Sequence, residues 1–229
     1  MPSTLVPDFI STWFDSLEDA SLAALAPDPA TTAVFSTDMI NGFVHFGPLS
    51  SDRVNKLAAP VASMFERCWQ YGVKDFIISQ DTHSPDTPEF ASYPPHAIAG
   101  TEESRMIPEL ANLPFARNFM VIEKNSLHPA VNTRFDTWLA NRSDLRTAIV
   151  VGNCTDLCVY QLAMHLRIWA NARNIHGFEV IVPVDCVDTF DIPESPDAPA
   201  GSAHPAEFFH QTFLYHMASN GVRIVRTLA

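Results

Sequence analysis

Two rhythms of apolar positions alternate along the chain. Short runs rich in Val, Ile and Phe are separated by longer stretches in which apolar residues return at helical spacing. The runs at 32–36, 75–79, 119–122, 147–151, 178–184 and 222–226 are apolar almost throughout, as strands covered on both faces must be. The stretches at 51–71, 102–112, 132–141, 156–174 and 205–220 are long enough to be the crossovers that parallel strands require. This alternation predicts an α/β fold: a doubly wound, mostly parallel six-stranded sheet with helices on both faces. Residues 1–30 contain an amphipathic piece with Phe9, Ile10, Trp13, Phe14 and Leu17, and read as an N-terminal helical extension to one domain spanning 31–229. Residues 191–205, loaded with Pro, Ala and Ser, predict an irregular surface loop before the last helix.

Composition narrows the class of partner. The 229 residues are 47% hydrophobic and 17% charged, which excludes a disordered chain and a highly charged coiled coil. Lys and Arg total 14 against 26 Asp and Glu, and the net charge of −12 repels phosphate backbones and anionic lipid. Neither nucleic acid nor a membrane is therefore the expected partner. No apolar run approaches the ~20 residues of a membrane helix, and acids stand where a signal peptide has its basic start, so a cytoplasmic protein is expected. Cys68, Cys154, Cys158 and Cys186 are too few and too irregularly spaced for a disulfide framework, which predicts free thiols.

In open parallel sheets, ligands bind beyond the carboxyl ends of the strands. Four such ends are chemically loaded here: Ser36-Thr37-Asp38, Gln80-Asp81-Thr82-His83, Glu123-Lys124 and the stretch from Gly152 to Cys158. Thr155 is expected to cap a helix, placing Cys158 in its first turn, where the dipole favours a thiolate nucleophile. The backbone N–H groups of Cys154 and Cys158 are candidates for an oxyanion hole, although both cysteines also read as small buried core residues. Asp38 is the candidate acceptor of the thiol proton and Lys124 its electrostatic partner; the bland readings are a turn-forming acid and a solvated lysine. Asp81 and His83 alternate in an extended segment and so share a side, while Glu89 and His96 return on a Pro-rich loop. That donor set suits one divalent metal, Zn with Fe or Mn as alternatives, against the plainer reading of two caps and two surface histidines. Most of the other histidines read as structural or solvated, and His210 and Phe213 are placed where they could approach a neighbouring subunit, with no chemistry assigned to them. The sequence has no Gly-rich phosphate loop.

Asp38, Lys124 and Cys158 in this order, with VVGNCTDLCV around the cysteine, resemble the isochorismatase-like cysteine hydrolases over residues 30–229. Asp81-x-His83, Pro94-Pro95-His96 and Gly100-Thr101 are similar to the nicotinamidases within that group. INGF, PEF, YPPH, GTEES and the late AHP look like the plant-type enzymes and their bacterial relatives. The resemblance implies an isochorismatase-like hydrolase domain over 31–229 and a metal-dependent amidohydrolase that converts nicotinamide to nicotinate and ammonia through a cysteine thioester. It assigns the nucleophile to Cys158, the proton shuttle to Asp38 and their electrostatic partner to Lys124. The metal ligands it implies are Asp81, His83 and His96, with Glu89 where some relatives have a second loop histidine. Phe43 and Tyr93 would sandwich the pyridine ring, Tyr93 standing where many relatives carry Trp. It also implies a cis peptide at Asn153–Cys154 and a homo-oligomer. Beside it stand a sibling amidohydrolase of ureido, carbamoyl or other small aromatic amides, and a catalytically silent binding protein.

Overall fold

The computed structural model describes residues 6–195 and 202–229. Its strands are β1 (Thr32–Thr37), β2 (Asp75–Asp81), β3 (Met120–Lys124), β4 (Thr147–Asn153), β5 (Glu179–Pro183), β6 (Val187–Asp188) and β7 (Arg223–Val225). They form one seven-stranded sheet in the order β3-β2-β1-β4-β5-β7, with β6 paired to β4, and every pairing is parallel. The expected six strands are all present. The seventh, β6, is too short to leave an apolar run. A 3-10 turn at Val184–Cys186 carries the chain from β5 to it, and it pairs with Gly152 and Asn153 at the carboxyl end of β4.

The helices among the described residues are α1 (Asp8–Asp15), α2 (Leu22–Leu25), α3 (Asn41–Val44), α4 (Asp52–Asn55), α5 (Ala58–Tyr71), α6 (Pro108–Ala111), α7 (Phe135–Ala140), α8 (Tyr160–Ala172) and α9 (Ala206–Ser219). Successive strand residues point to opposite faces, so β1 sends Val34 into one apolar layer with Met64 and Phe65 of α5. Ala33 and Phe35 enter the other, with Leu162 and Leu166 of α8 and Leu214 of α9. The sheet is thus covered on both sides, as its uninterrupted apolar strands require.

Two expected helices are shorter than their periodicity suggests. The stretch 51–71 divides into α4 and α5 because Pro60, lacking an N–H, is accommodated only in the first turn of a new helix. The stretch 102–112 keeps only α6: Ile107 precedes a proline and is extended, at φ −61° and ψ 147°. Residues before it instead run beside α3, with Asn41 N–H donating to Arg105 O (2.9 Å) and Gly42 N–H to Glu103 O (2.9 Å).

The N-terminal piece finds its surface on α9, where Phe9 and Trp13 meet Tyr215 edge-on. Arg226 closes the end of α1 by donating to the carbonyls of Phe14 (3.1 Å) and Asp15 (3.0 Å). The described parts of 191–205 are irregular and joined by a bridge between Ile192 and His204; residues 196–201 of that predicted loop lie outside the described residues. Among the described residues, no helix is long and apolar enough to cross a membrane.

The strand order reverses between β1 and β4, and there the two backbones approach unusually closely. Gly152, at φ +110°, has no side chain; a Cβ at that position would sit 2.1 Å from the carbonyl oxygen of Thr37. The crevice at such a reversal is where open α/β sheets bind ligands.

Candidate active site

β1, β2, β3 and β4 end side by side at that crevice, and each delivers one reactive group. Asp38 follows β1 in the left-handed region, at φ +52°, which Asp tolerates better than most residues. Its Oδ1 accepts the Asp81 N–H at 2.8 Å. Asp81 and Lys124 are register partners on β2 and β3, and that pairing brings the lysine beneath both carboxylates. Lys124 Nζ lies 2.9 Å from Asp38 Oδ2, contacts Asp81 Oδ1, and donates toward Cys158 Sγ at 3.6 Å. Asp38, Lys124 and Cys158 are only 1%, 2% and 5% exposed, so this is a dry ionic cluster rather than a solvated lysine beside a turn-forming acid.

The nucleophile segment differs from expectation. Cys154, not Thr155, is the N-cap, and residues Thr155–Val159 form a π turn leading into α8. The Thr155 hydroxyl turns away to His210 Nδ1 at 2.9 Å. The Cys154 carbonyl accepts from Leu157 N–H (3.0 Å) and Val159 N–H (3.1 Å), so the widened turn passes over the Cys158 N–H and leaves it beside its own sulfur. The Asn153–Cys154 peptide is cis, as the resemblance implied. Asn153 Nδ2 donates to the Asp38 carbonyl at 2.7 Å and joins the two loops.

Electrostatics also correct the expected thiolate. Burial, then the Asp38 charge, pushes the Cys158 thiol well above its ordinary range despite Lys124. Burial and the neighbouring Asp81 charge raise Asp38 to about 6, with Lys124 and the Cys158 thiol pulling the other way. Burial disfavours the Lys124 ammonium, but Asp38 and Asp81 outweigh it and hold its pKa well above the usual value. The resting arrangement is therefore a neutral thiol beside a carboxylate poised near neutrality, over a permanent cation.

The second carboxylate oxygen of Asp81 faces two imidazoles. His83 Nε2 is 3.5 Å and His96 Nε2 3.9 Å from Asp81 Oδ2, and the three donor atoms lie within 4.8 Å of one another. The far nitrogen of each ring is already engaged. His96 Nδ1 lies 2.8 Å from the Pro94 carbonyl, which can only accept. His83 Nδ1 lies 3.1 Å from Asn125 Oδ1, and the Ser84 N–H donating to that oxygen at 3.0 Å fixes the amide's orientation. Both Nδ1 atoms thus carry protons and both Nε2 lone pairs face Asp81 when the rings are neutral. His83 Nε2 and Glu89 Oε1 have no hydrogen-bond partner among the described residues. The donor set fits a divalent cation. Glu89 Oε1, 3.8 Å from His83 Nε2, stands at the rim of this group rather than within it.

Above the cluster a pocket opens between Phe43, Leu49, Glu89, Tyr93, His96, Cys154 and Phe190, with Asp38, Asp81 and Cys158 on its floor. The predicted ring-binding residues are both present: Phe43 lies 5.4 Å and Tyr93 6.3 Å from the His96 ring, centroid to centroid. The structure therefore brings together Asp38, Lys124, Cys158, Cys154, Asp81, His83, Glu89, His96, Phe43 and Tyr93. It does not leave His210 for a neighbouring subunit, since that residue is buried against Thr155.

An isochorismatase domain matches residues 32–227. The chain belongs to the isochorismatase family. Nicotinamidase 1 of Arabidopsis thaliana is a homologue, 31% identical over an alignment of 218 positions that covers 84% of each chain. The isochorismatase fold is shared with N-carbamoylsarcosine amidase from Thermoplasma acidophilum (TM-score 0.63, 23% identity, 86% of this chain and 96% of that one). It is shared equally with a pyrazinamidase of Pyrococcus horikoshii in complex with zinc (TM-score 0.66, 20% identity, 86% and 99%).

Within this isochorismatase-family site, sequence reasoning missed Asn125, Leu49 and Phe190, and the bridge from the Asn153 amide to the Asp38 carbonyl. Asn125 directly follows Lys124 and could have been read as an orienting partner for a metal-type histidine. Phe190 comes to the pocket only through β6 and left no local signal.

Proposed function

We propose that this protein is a nicotinamidase, hydrolysing the carboxamide of nicotinamide through a thioester on Cys158. The observation that carries the reading is the Asp81 carboxylate, which faces the Lys124 ammonium with one oxygen and the His83 and His96 lone pairs with the other. One group thus joins a thiol-activating cluster to a cation site beneath a pocket walled by Phe43, Tyr93 and Phe190. When bound there, a divalent metal supplies a Lewis acid to hold a pyridine nitrogen; zinc is the first choice, given the Pyrococcus complex.

The chain's own groups run the reaction. Asp38 takes the Cys158 proton as sulfur attacks the amide carbon, and the carbonyl electron pair moves onto oxygen, held by the N–H groups of Cys154 and Cys158. Collapse breaks the C–N bond, and the proton on Asp38 passes to the departing nitrogen, leaving ammonia and a thioester. Water then attacks the thioester with Asp38 again as base, and cleavage of the C–S bond releases nicotinate and the thiol. Lys124 stays charged throughout and stabilises the anions that appear beside it. Phe43 and Tyr93 hold the ring faces, and Glu89 completes the polar rim.

This reading carries with it a cytoplasmic, homo-oligomeric enzyme that returns the pyridine ring to nicotinamide-nucleotide synthesis. Its test is to incubate the metal-loaded, thiol-reduced protein with nicotinamide and measure ammonia and nicotinate together, before and after chelation. Equal release, lost on chelation and restored by a divalent ion, is expected. Release of ammonia from ureido or carbamoyl compounds alone would replace nicotinamidase by a sibling amidohydrolase.

A further inference from the structure

Phe190 follows β6 and is the pocket wall that comes from the far side of the nucleophile. Its position is set by an aromatic sandwich. The Phe190 ring stacks on the His204 imidazole at 4.0 Å and 23°, and His204 stacks in turn on Phe209 of α9 at 4.4 Å and 18°. Both imidazole nitrogens are used: Nδ1 lies 2.9 Å from the Phe190 carbonyl and Nε2 lies 2.8 Å from Asp156 Oδ2. A carbonyl and a carboxylate only accept, so the protonated ring donates to both, a cation between two phenyl faces. Asp156 belongs to the π turn that carries Cys158, and the backbones of Ile192 and His204 exchange two hydrogen bonds (2.9 and 2.8 Å). The wall is therefore fastened to α9 by stacking and to the nucleophile segment by charge.

We propose that Phe190 sets which ring substituents the substrate can carry, and that His204 is the positioning residue that fixes this wall relative to Cys158. The inference rests on the nicotinamidase reading for its substrate class, small heteroaromatic carboxamides. None of the expected site residues supplies this wall.

The test compares wild type, Phe190→Ala, His204→Ala and His204→Phe, the last keeping a flat ring between Phe190 and Phe209. Steady-state kinetics on nicotinamide and on ring-methylated nicotinamides should show KM for nicotinamide rising about tenfold in Phe190→Ala and His204→Ala, more than kcat falls. Methylated substrates should gain on nicotinamide in kcat/KM, and His204→Phe should recover most of the loss. A KM unchanged in His204→Ala, or an unchanged preference among the substrates in Phe190→Ala, overturns the proposal. A second readout needs no substrate: alkylation of Cys158 by iodoacetamide and by bulkier N-phenyl iodoacetamide, followed by peptide mass mapping. Both alanine variants should speed the bulky reagent relative to the small one, and no change in that ratio overturns the wall. If wild type fails on nicotinamide while this ratio still shifts, the nicotinamidase reading falls and the wall stands.

Discussion

The floor and the outer wall of the pocket are built by different physics. The floor is Asp38, Asp81, Lys124 and Cys158, set by strand register at the carboxyl edge of the sheet and held by buried charge. The outer wall is Phe190, set by a short strand, a stacked histidine and one ion pair between that partly buried histidine and the buried Asp156. The floor's charges compensate one another, so losing Lys124 leaves two carboxylates without their cation in a buried environment. Wall groups are flat rings in contact, and losing one leaves space. Catalysis should therefore fail abruptly when the floor is altered and selectivity should drift when the wall is.

The sharpest attempt to break this contrast is Cys158→Ala, which should lower kcat on the order of 10⁵-fold while metal content, measured by atomic absorption, stays unchanged. Lys124→Met leaves Asp38 and Asp81 facing each other without their cation. It should abolish turnover and also cost about 3–5 kcal/mol in denaturant unfolding; a stable variant would show that the floor is not held by charge. Next comes Asn125→Ala, which frees His83 to rotate and should weaken metal binding by about 10–100-fold in a competition titration. His96→Ala, removing a donor outright, should lose the metal.

The smallest effect belongs to the wall. Burial lowers the His204 pKa, but the Asp156 hydrogen bond and charge and the Phe190 carbonyl outweigh it, so the folded value is raised. A raised pKa contributes stability that is fully present below the unfolded histidine value of about 6.5 and is lost as pH rises through the folded one. Asp156→Asn should therefore melt on the order of 2 °C below wild type near pH 6, with the gap closing in alkaline buffer. A gap that persists at high pH would mean that charge is not what fastens the wall.

The floor was far more legible in the sequence than the wall. Asp38, Asp81 and Lys124 each stand two residues past an apolar run and Cys158 lies on the segment that follows another, and in a parallel sheet those positions send them to one edge. What the sequence could not show was that Asp81 and Lys124 are register partners, because register is settled by the packing of whole strands. The π turn was equally hidden: Thr155 looks like a cap, and only the His210 side chain arriving from α9 draws its hydroxyl elsewhere. The thiolate expectation failed because helix-terminal position was weighed without burial, and burial wins. Phe190 and His204 lie 14 positions apart, joined by a contact that no periodicity encodes.

Gly152 touches no substrate and belongs to neither floor nor wall, yet its bare Cα is what allows β1 and β4 to close over the crevice. Every other amino acid would have to push the two central strands apart, and Asp38 and Cys154 would move with them. In a saturation library selected for growth on the reaction product, this position should be as intolerant of change as the nucleophile. Here the geometry of two backbones, and not the chemistry of any side chain, limits how far the sequence can drift.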